Sequence, residues 1–186
     1  HEKPEVASPG DGCVSTHTSG TNTQNFGGTS SASPLTCGVA ALLVNTDPSI
    51  LGNISTVKAA LMAGAWHNVE GNDVLSDKDG AGSAHATASH ALVRDGQFEA
   101  GTFTNSSFPG GTYDKQVFLN RQDPTRIVAL WFSDPDASYS TDLLKMDLDM
   151  TVLDPQGAVV ASSANAFNPF EIVKFTPTQN GLYTIR

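Results

Sequence analysis

The residues of this sequence best placed for covalent chemistry lie in one short run, Gly27-Gly28-Thr29-Ser30-Ser31-Ala32-Ser33-Pro34. A glycine-permitted turn that feeds a helix N-terminus leaves backbone N–H groups without intrahelical partners, so a hydroxyl set there is next to a ready anion site. A serine at that point which attacks a carbonyl can offer its own N–H to the developing oxyanion, and the positive end of the helix dipole adds to the stabilisation. The chemistry would be acyl transfer with Ser30 as nucleophile. Thr29, Ser30 and Ser31 are also good helix caps, and the local sequence leaves both roles open.

A second group is acidic. Asp134, Asp136, Asp142, Asp147 and Asp149 are crowded into a short region, and Asp147 and Asp149 share one face if their strand is regular. Like charges at that density repel unless they are solvated or share a cation, and hard carboxylate oxygens suit calcium. A solvated acidic loop and a structural Ca2+ site both fit the pattern. Asp77-Lys78-Asp79-Gly80 opens like an EF-hand loop, but Ala88 stands where a bidentate Glu is needed, which excludes that motif. Asn53-Ile54-Ser55 and Asn105-Ser106-Ser107 are glycosylation sequons, meaningful only in a eukaryotic secretory setting. Cys13 and Cys37 allow a single pairing, and spacing does not decide between a bridge and two buried free thiols.

The elements that must hold these residues change character near residues 100–104. Before that point, Gly/Ser/Thr-rich loops alternate with Ala-rich segments. Leu35, Val39, Leu42 and Leu43 recur at spacings of three and four, which predicts a helix over residues 32–45, with Pro34 in its first turn. Its other positions are small, so protein could enclose it on most sides. A second helix is expected from a Ser55 or Thr56 cap to Gly64, and a third over residues 83–94 with Gly96 as its stop. Beyond residue 101, β-branched and aromatic runs at 116–119, 126–132, 147–153, 158–162, 171–175 and 182–186 alternate with turn signals, as in an antiparallel sandwich.

Composition narrows the function classes. Ten basic against nineteen acidic side chains give a net charge of -9, the wrong sign for neutralising phosphates, so nucleic acid is not an expected partner. The longest apolar run, residues 38–44, falls far short of the roughly 18 residues that span a bilayer, so no membrane is expected either. Only 16% of the residues are charged, against about 25% in ordinary globular domains, a surface common in secreted proteins.

Three segments in order, Lys3-Pro4-Glu5-Val6-Ala7-Ser8-Pro9-Gly10, then Gly28-Thr29-Ser30-Ser31-Ala32-Ser33-Pro34, then Cys37-Gly38-Val39-Ala40-Ala41-Leu42, resemble the nucleophile region of subtilisin-like serine peptidases. Leu61-Met62-Ala63-Gly64-Ala65 and Asp79-Gly80-Ala81-Gly82 resemble that family's later helix and Gly-rich loop, so the resemblance covers about residues 1–97. It implies an α/β fold over residues 1–100, the C-terminal part of a subtilisin-like parallel-sheet domain. It also implies a secreted serine endopeptidase acting on proteins or peptides through an acyl-enzyme on Ser30. The family's Asp, His and oxyanion Asn precede the serine. Here neither His1 nor His17 has the family's setting, and Asn22 and Asn25 are too close to Ser30. The expectation is therefore that a missing N-terminal part carries those three groups, and that this piece alone is inactive. His67, His85 and His90 are read as surface or helix-end residues. Many family members carry Met after the nucleophile, where this chain has Ser31. Residues 127–134, 143–157, 168–171 and 181–186 resemble the all-β jelly-roll sandwich appended to some of these enzymes, which implies a second domain over residues 101–186. The competing reading is a non-catalytic binding or stabilising module attached to a peptidase remnant. A serine esterase is a weaker alternative, because no Gly-x-Ser-x-Gly elbow surrounds Ser30.

Overall fold

The charge-free stretch after the glycine pair folds as helix α1 (Thr29–Thr46) in the computed structural model, which describes residues 4–20, 23–67, 74–132, 144 and 146–186. The helix starts at Thr29 and not at residue 32, because Gly28, at φ 80°, makes the turn that an L side chain would resist. Pro34 therefore falls in the second turn. Helix α2 (Ile54–Gly64) is capped by Asn53, one position before the sequon's Ile54 and upstream of the expected Ser55 or Thr56. Asn53 Oδ1 accepts from Thr56 N at 3.3 Å and from Ser55 Oγ at 2.6 Å. Helix α3 (Ala86–Arg94) begins later than residue 83, because Ser83 is taken up by a bridge to Trp66 and His85 Nδ1 caps the helix by accepting from Ala88 N at 3.1 Å. It stops as expected at Gly96, at φ 63°, where the Gly96 and Gln97 N–H groups donate to Val93 O and Leu92 O.

The chain divides into two compact units, one ending at Phe98 and the other beginning at Glu99. In the first, Leu43, Ile50, Ala60, Leu61 and Val93 form a buried core, with Val39, Val57, Leu92 and Phe98 packed around it. The Leu, Ile and Val side chains among them contribute about 1.5–3 kcal/mol each. A β-carbon at Gly64 would stand 2.6 Å from Ser89 N, so α2 and α3 meet where one of them has no side chain. Antiparallel strands β1 (Cys13–Thr16) and β2 (Thr23–Phe26) make a hairpin that sequence reading missed, since its residues are mostly polar and exposed and show no inward face. Among the described residues this unit has no parallel ladder; its one parallel contact is the bridge Ala7↔Ser83.

Among the described residues, every strand pair of the second unit is antiparallel. Strands β3 (Lys115–Leu119), β5 (Met150–Leu153), β6 (Val159–Ser163) and β8 (Gly181–Ile185) form a four-stranded sheet in the order β3-β8-β5-β6. Strands β4 (Thr125–Leu130) and β7 (Phe170–Phe175) pair separately. The two sheets share one core of Met150, Val152, Val173 and Tyr183, joined by Ile127, Ala129 and Phe175. Tyr183 is fully buried, and its hydroxyl donates to Gln179 O at 3.1 Å, satisfying the one polar atom the ring carries inward. β5 begins at Met150, so Asp147 and Asp149 precede the strand instead of lying within it.

Glu171 sits on β7 two residues from Val173, on the core face, and is 1% exposed. Its carboxylate accepts from Asn165 N at 2.8 Å and from the Ser163 hydroxyl. Burial raises its pKa above the ordinary glutamate range; those hydrogen bonds oppose the rise, and the charges of Asp149 and Asp147 add to it. The folded state thus holds this proton more tightly than the unfolded chain. The resulting stability is present in full below the unfolded glutamate pKa and is lost as pH rises through the raised one.

Three substitutions test this packing by thermal unfolding. Gly64→Ala is expected to cost about 1–3 kcal/mol by forcing α2 from α3. Ser89→Ala is expected to be neutral or to stabilise by up to about 1 kcal/mol, because Ser89 Oγ is buried without a hydrogen-bond partner. Glu171→Gln can keep both contacts and should flatten the fall in stability with rising pH; a wild-type slope in that variant would contradict the assignment.

Candidate active site

Ser30 lies in the first turn of α1 and is exposed. The helix opens with Ser31 N and Ala32 N donating to Gly28 O at 3.0 and 3.2 Å. The N–H groups of Thr29 and Ser30 therefore belong to the open end of the helix, where no intrahelical acceptor exists. Neither an acidic nor a basic side chain stands in that turn to compete for them. A serine hydroxyl and its own N–H thus share one accessible corner, at the positive end of an 18-residue helix dipole.

The turn that delivers Ser30 is held from behind. Gly28 N donates to Gly10 O, and a β-carbon at Gly10 would come within 3.0 Å of Gly28 O. One at Gly27 would come equally close to Gly10 O. Backbone packs on backbone here, and a β-carbon on either side would push the facing carbonyl back by a few tenths of an ångström. The segment leading to Gly10 is pinned in turn. Ala81 N donates to Glu5 O at 2.9 Å, Ala7 N to Gly82 O at 3.0 Å and Ala84 N to Ala7 O at 2.8 Å. Lys58 of α2 pairs with Glu5 at 2.6 Å. Gly80, at φ 63°, accepts no side chain, because a β-carbon there would collide with Pro4 O.

Among the described residues, no histidine is hydrogen-bonded to Ser30. His17 Nδ1 accepts from Ser19 N at 3.2 Å within its own turn, and His85 Nδ1 is engaged in capping α3. Ser31, next to Ser30, is 4% exposed, so its hydroxyl points into protein. Both cysteines are free thiols, and Cys37 is exposed on α1, not buried.

The acidic group is only partly on view. Asp147 and Asp149 are exposed in the segment before β5, close enough to Glu171 to raise its pKa. Asp134, Asp136 and Asp142 lie outside the described residues. Among the described residues, no three His, Cys, Asp or Glu side chains gather as metal ligands. Two exposed aspartates fall short of the six to eight oxygens that calcium takes, so they do not by themselves form its site. Glu171 entered the sequence reading only within the run that resembles the sandwich domain, with no role of its own; the structure makes it a carboxylate among buried neighbours.

The glycine turn, the exposed serine and the open helix end all fall within the stretch matched by a family model. That model, described as the subtilase family, matches residues 1–98 of the 186. The match spans more than half of the sequence, and the chain belongs to the subtilase family.

Proposed function

We propose that this chain is the nucleophile-bearing part of a secreted, subtilisin-like serine endopeptidase. Ser30 Oγ attacks the scissile carbonyl and passes its proton to an imidazole supplied by polypeptide beyond residues 1–186. The Ser30 N–H donates to the oxyanion, and the tetrahedral intermediate collapses to an acyl-enzyme as the protonated base returns its proton to the leaving amine. Water then attacks the ester with the same base assisting. The orienting carboxylate and a second oxyanion donor, an Asn side chain, belong to the same additional polypeptide. The antiparallel unit beginning at Glu99 is read as the appended jelly-roll domain.

The observation that carries this reading is the Gly10-backed Gly27-Gly28 turn, which sets Ser30 exposed at the open end of α1. A fluorophosphonate probe tests it. In the complete gene product, labelling is expected at Ser30, and Ser30→Ala should abolish it and lower peptide hydrolysis by at least about 10³-fold. Absence of labelling under conditions that label an active serine peptidase would leave the rival reading, a non-catalytic module.

A second expectation concerns oxidation. A thioether beside the nucleophile becomes a polar sulfoxide in peroxide, whereas the Ser31 hydroxyl has no such route. Met62 and Met150 are almost fully buried, while Met146 is 38% exposed and far in sequence from Ser30. Activity should survive dilute peroxide while peptide mass spectrometry finds sulfoxide first at Met146. Loss of activity that tracks oxidation would contradict this.

A further inference from the structure

The side chains of Trp66, His67 and His85 form a cluster that the acyl-transfer reading does not use. Trp66 is 58% exposed, and its ring meets two imidazoles: His67 at a centroid distance of 3.8 Å, and His85 edge to face at 5.2 Å. His85 is half-buried and is the N-cap of α3, where its Nδ1 accepts from Ala88 N at 3.1 Å. An imidazole nitrogen accepts only while it carries no proton, so this cap holds His85 neutral, with its hydrogen on Nε2. The oxygen of a Ser or Asn cap would accept at any pH, whereas an imidazole accepts only on the basic side of its titration. Once protonated, Nδ1–H would face the Ala88 N–H donor to donor, and a cation would stand at the positive end of the helix. Trp66 lies within the roughly 6 Å over which an indole attracts a cation, so a ring released from Ala88 has a second place to rest.

Few other charges surround this imidazole among the described residues. The first turn of α3 has no acidic or basic side chain, and His90, Arg94 and Asp95 lie farther along the chain. Of the helices packed against α3, α1 has no charged residue, and the one charge of α2, Lys58, is paired with Glu5. The loop before α3 carries Asp77, Lys78 and Asp79, of which Asp79 accepts from the Ser76 hydroxyl. His67, against the other imidazole's Trp66, is the remaining titratable neighbour. The residues just before the cap link it to the rest of the unit. Ser83 and Trp66 exchange two backbone hydrogen bonds of 2.8 Å, and Ala84 N donates to Ala7 O at 2.8 Å. Ala7 belongs to the segment that ends at Gly10, behind the Ser30 turn. We propose that His85 is an acid-released latch. Neutral, it closes the first turn of α3 and steadies residues 83–84 against Ala7; protonated, it lets go of Ala88, and that end of the helix frays. The latch stands whether or not Ser30 is a nucleophile.

Amide hydrogen exchange in the complete gene product, corrected for its intrinsic dependence on pH, tests the latch. Between about pH 8 and about pH 5, where imidazoles gain their proton, the Ala88 N–H is expected to lose about five- to tenfold in protection, as for a missing cap. The Ala84 N–H should fall with it, while Leu61, buried in the core, keeps its protection. His85→Asn retains an acceptor at the cap and should show no fall, and His85→Ala should be poorly protected at both ends of the range. His67→Asn should leave the wild-type fall intact. Ala88 protection that does not change with pH would overturn the proposal. So would a fall that stops short of Ala84, that Leu61 shares, that persists in His85→Asn or that vanishes in His67→Asn.

Discussion

The contact between Gly10 O and the Gly28 N–H is the constraint on which the candidate site depends. It ties a loop near the start of the chain to the turn that begins α1, and it leaves room for no β-carbon at Gly10 or Gly27 without displacing backbone. Gly28 must also hold a positive φ, which most side chains resist. Three glycines therefore serve this turn for two reasons: close approach at Gly10 and Gly27, and handedness at Gly28. If this turn shifts, Ser30 moves with it, since Ser30 is only two residues further along.

Support for that turn comes from far away in sequence. The segment ending at Gly10 is hydrogen-bonded to residues 80–84 and ion-paired to α2, so the geometry at Ser30 forms only once helices and loops across the first unit have assembled. The Glu5–Lys58 pair is partly exposed and contributes little, about 1 kcal/mol at most. The backbone bonds and the core around Leu43 and Ile50 do most of the holding. A site of this kind is positioned by main chain, and side-chain substitutions at a distance act on it mainly through global stability.

Much of this was legible in the sequence, for reasons that differ by element. Gly27-Gly28 ahead of an apolar periodic run located the start of α1 to within a few residues, because turn chemistry and periodicity agree there. The strands of the second unit were legible from their β-branched runs and the turns between them, as in Asp154-Pro155-Gln156-Gly157, where Asp154 Oδ1 accepts from Gln156 N and Ala158 N and Gly157 takes a positive φ. The β1–β2 hairpin was not legible, since neither of its faces is buried in this chain and so no alternation marks it. The cap of α2 was misplaced by competition among Asn53, Ser55 and Thr56, all capable caps; Asn53 prevails because its carboxamide oxygen serves both of the others. Ser30 itself could be read as a cap or a nucleophile from local sequence, and only the segments on either side of it separated the two.

The structure decides one half of that ambiguity: the N-cap of α1 is Gly28, no side chain caps the helix, and Ser30 is its second residue. Placed in the second turn, Pro34 has no N–H to donate to the residue four positions earlier, and that residue is Ser30. The Ser30 carbonyl thus lacks the donor a regular helix would supply four residues on, just as the Ser30 N–H has no intrahelical acceptor by position. A proline inside a helix ordinarily costs about 3 kcal/mol. Ser30 is thus the residue in the first turn of α1 at which neither backbone group makes the regular bond four residues away. The group that could serve an anion at this corner is the Ser30 N–H, which the turn at Gly28 leaves open at the positive end of α1; the proline acts only on the carbonyl, which an anion repels.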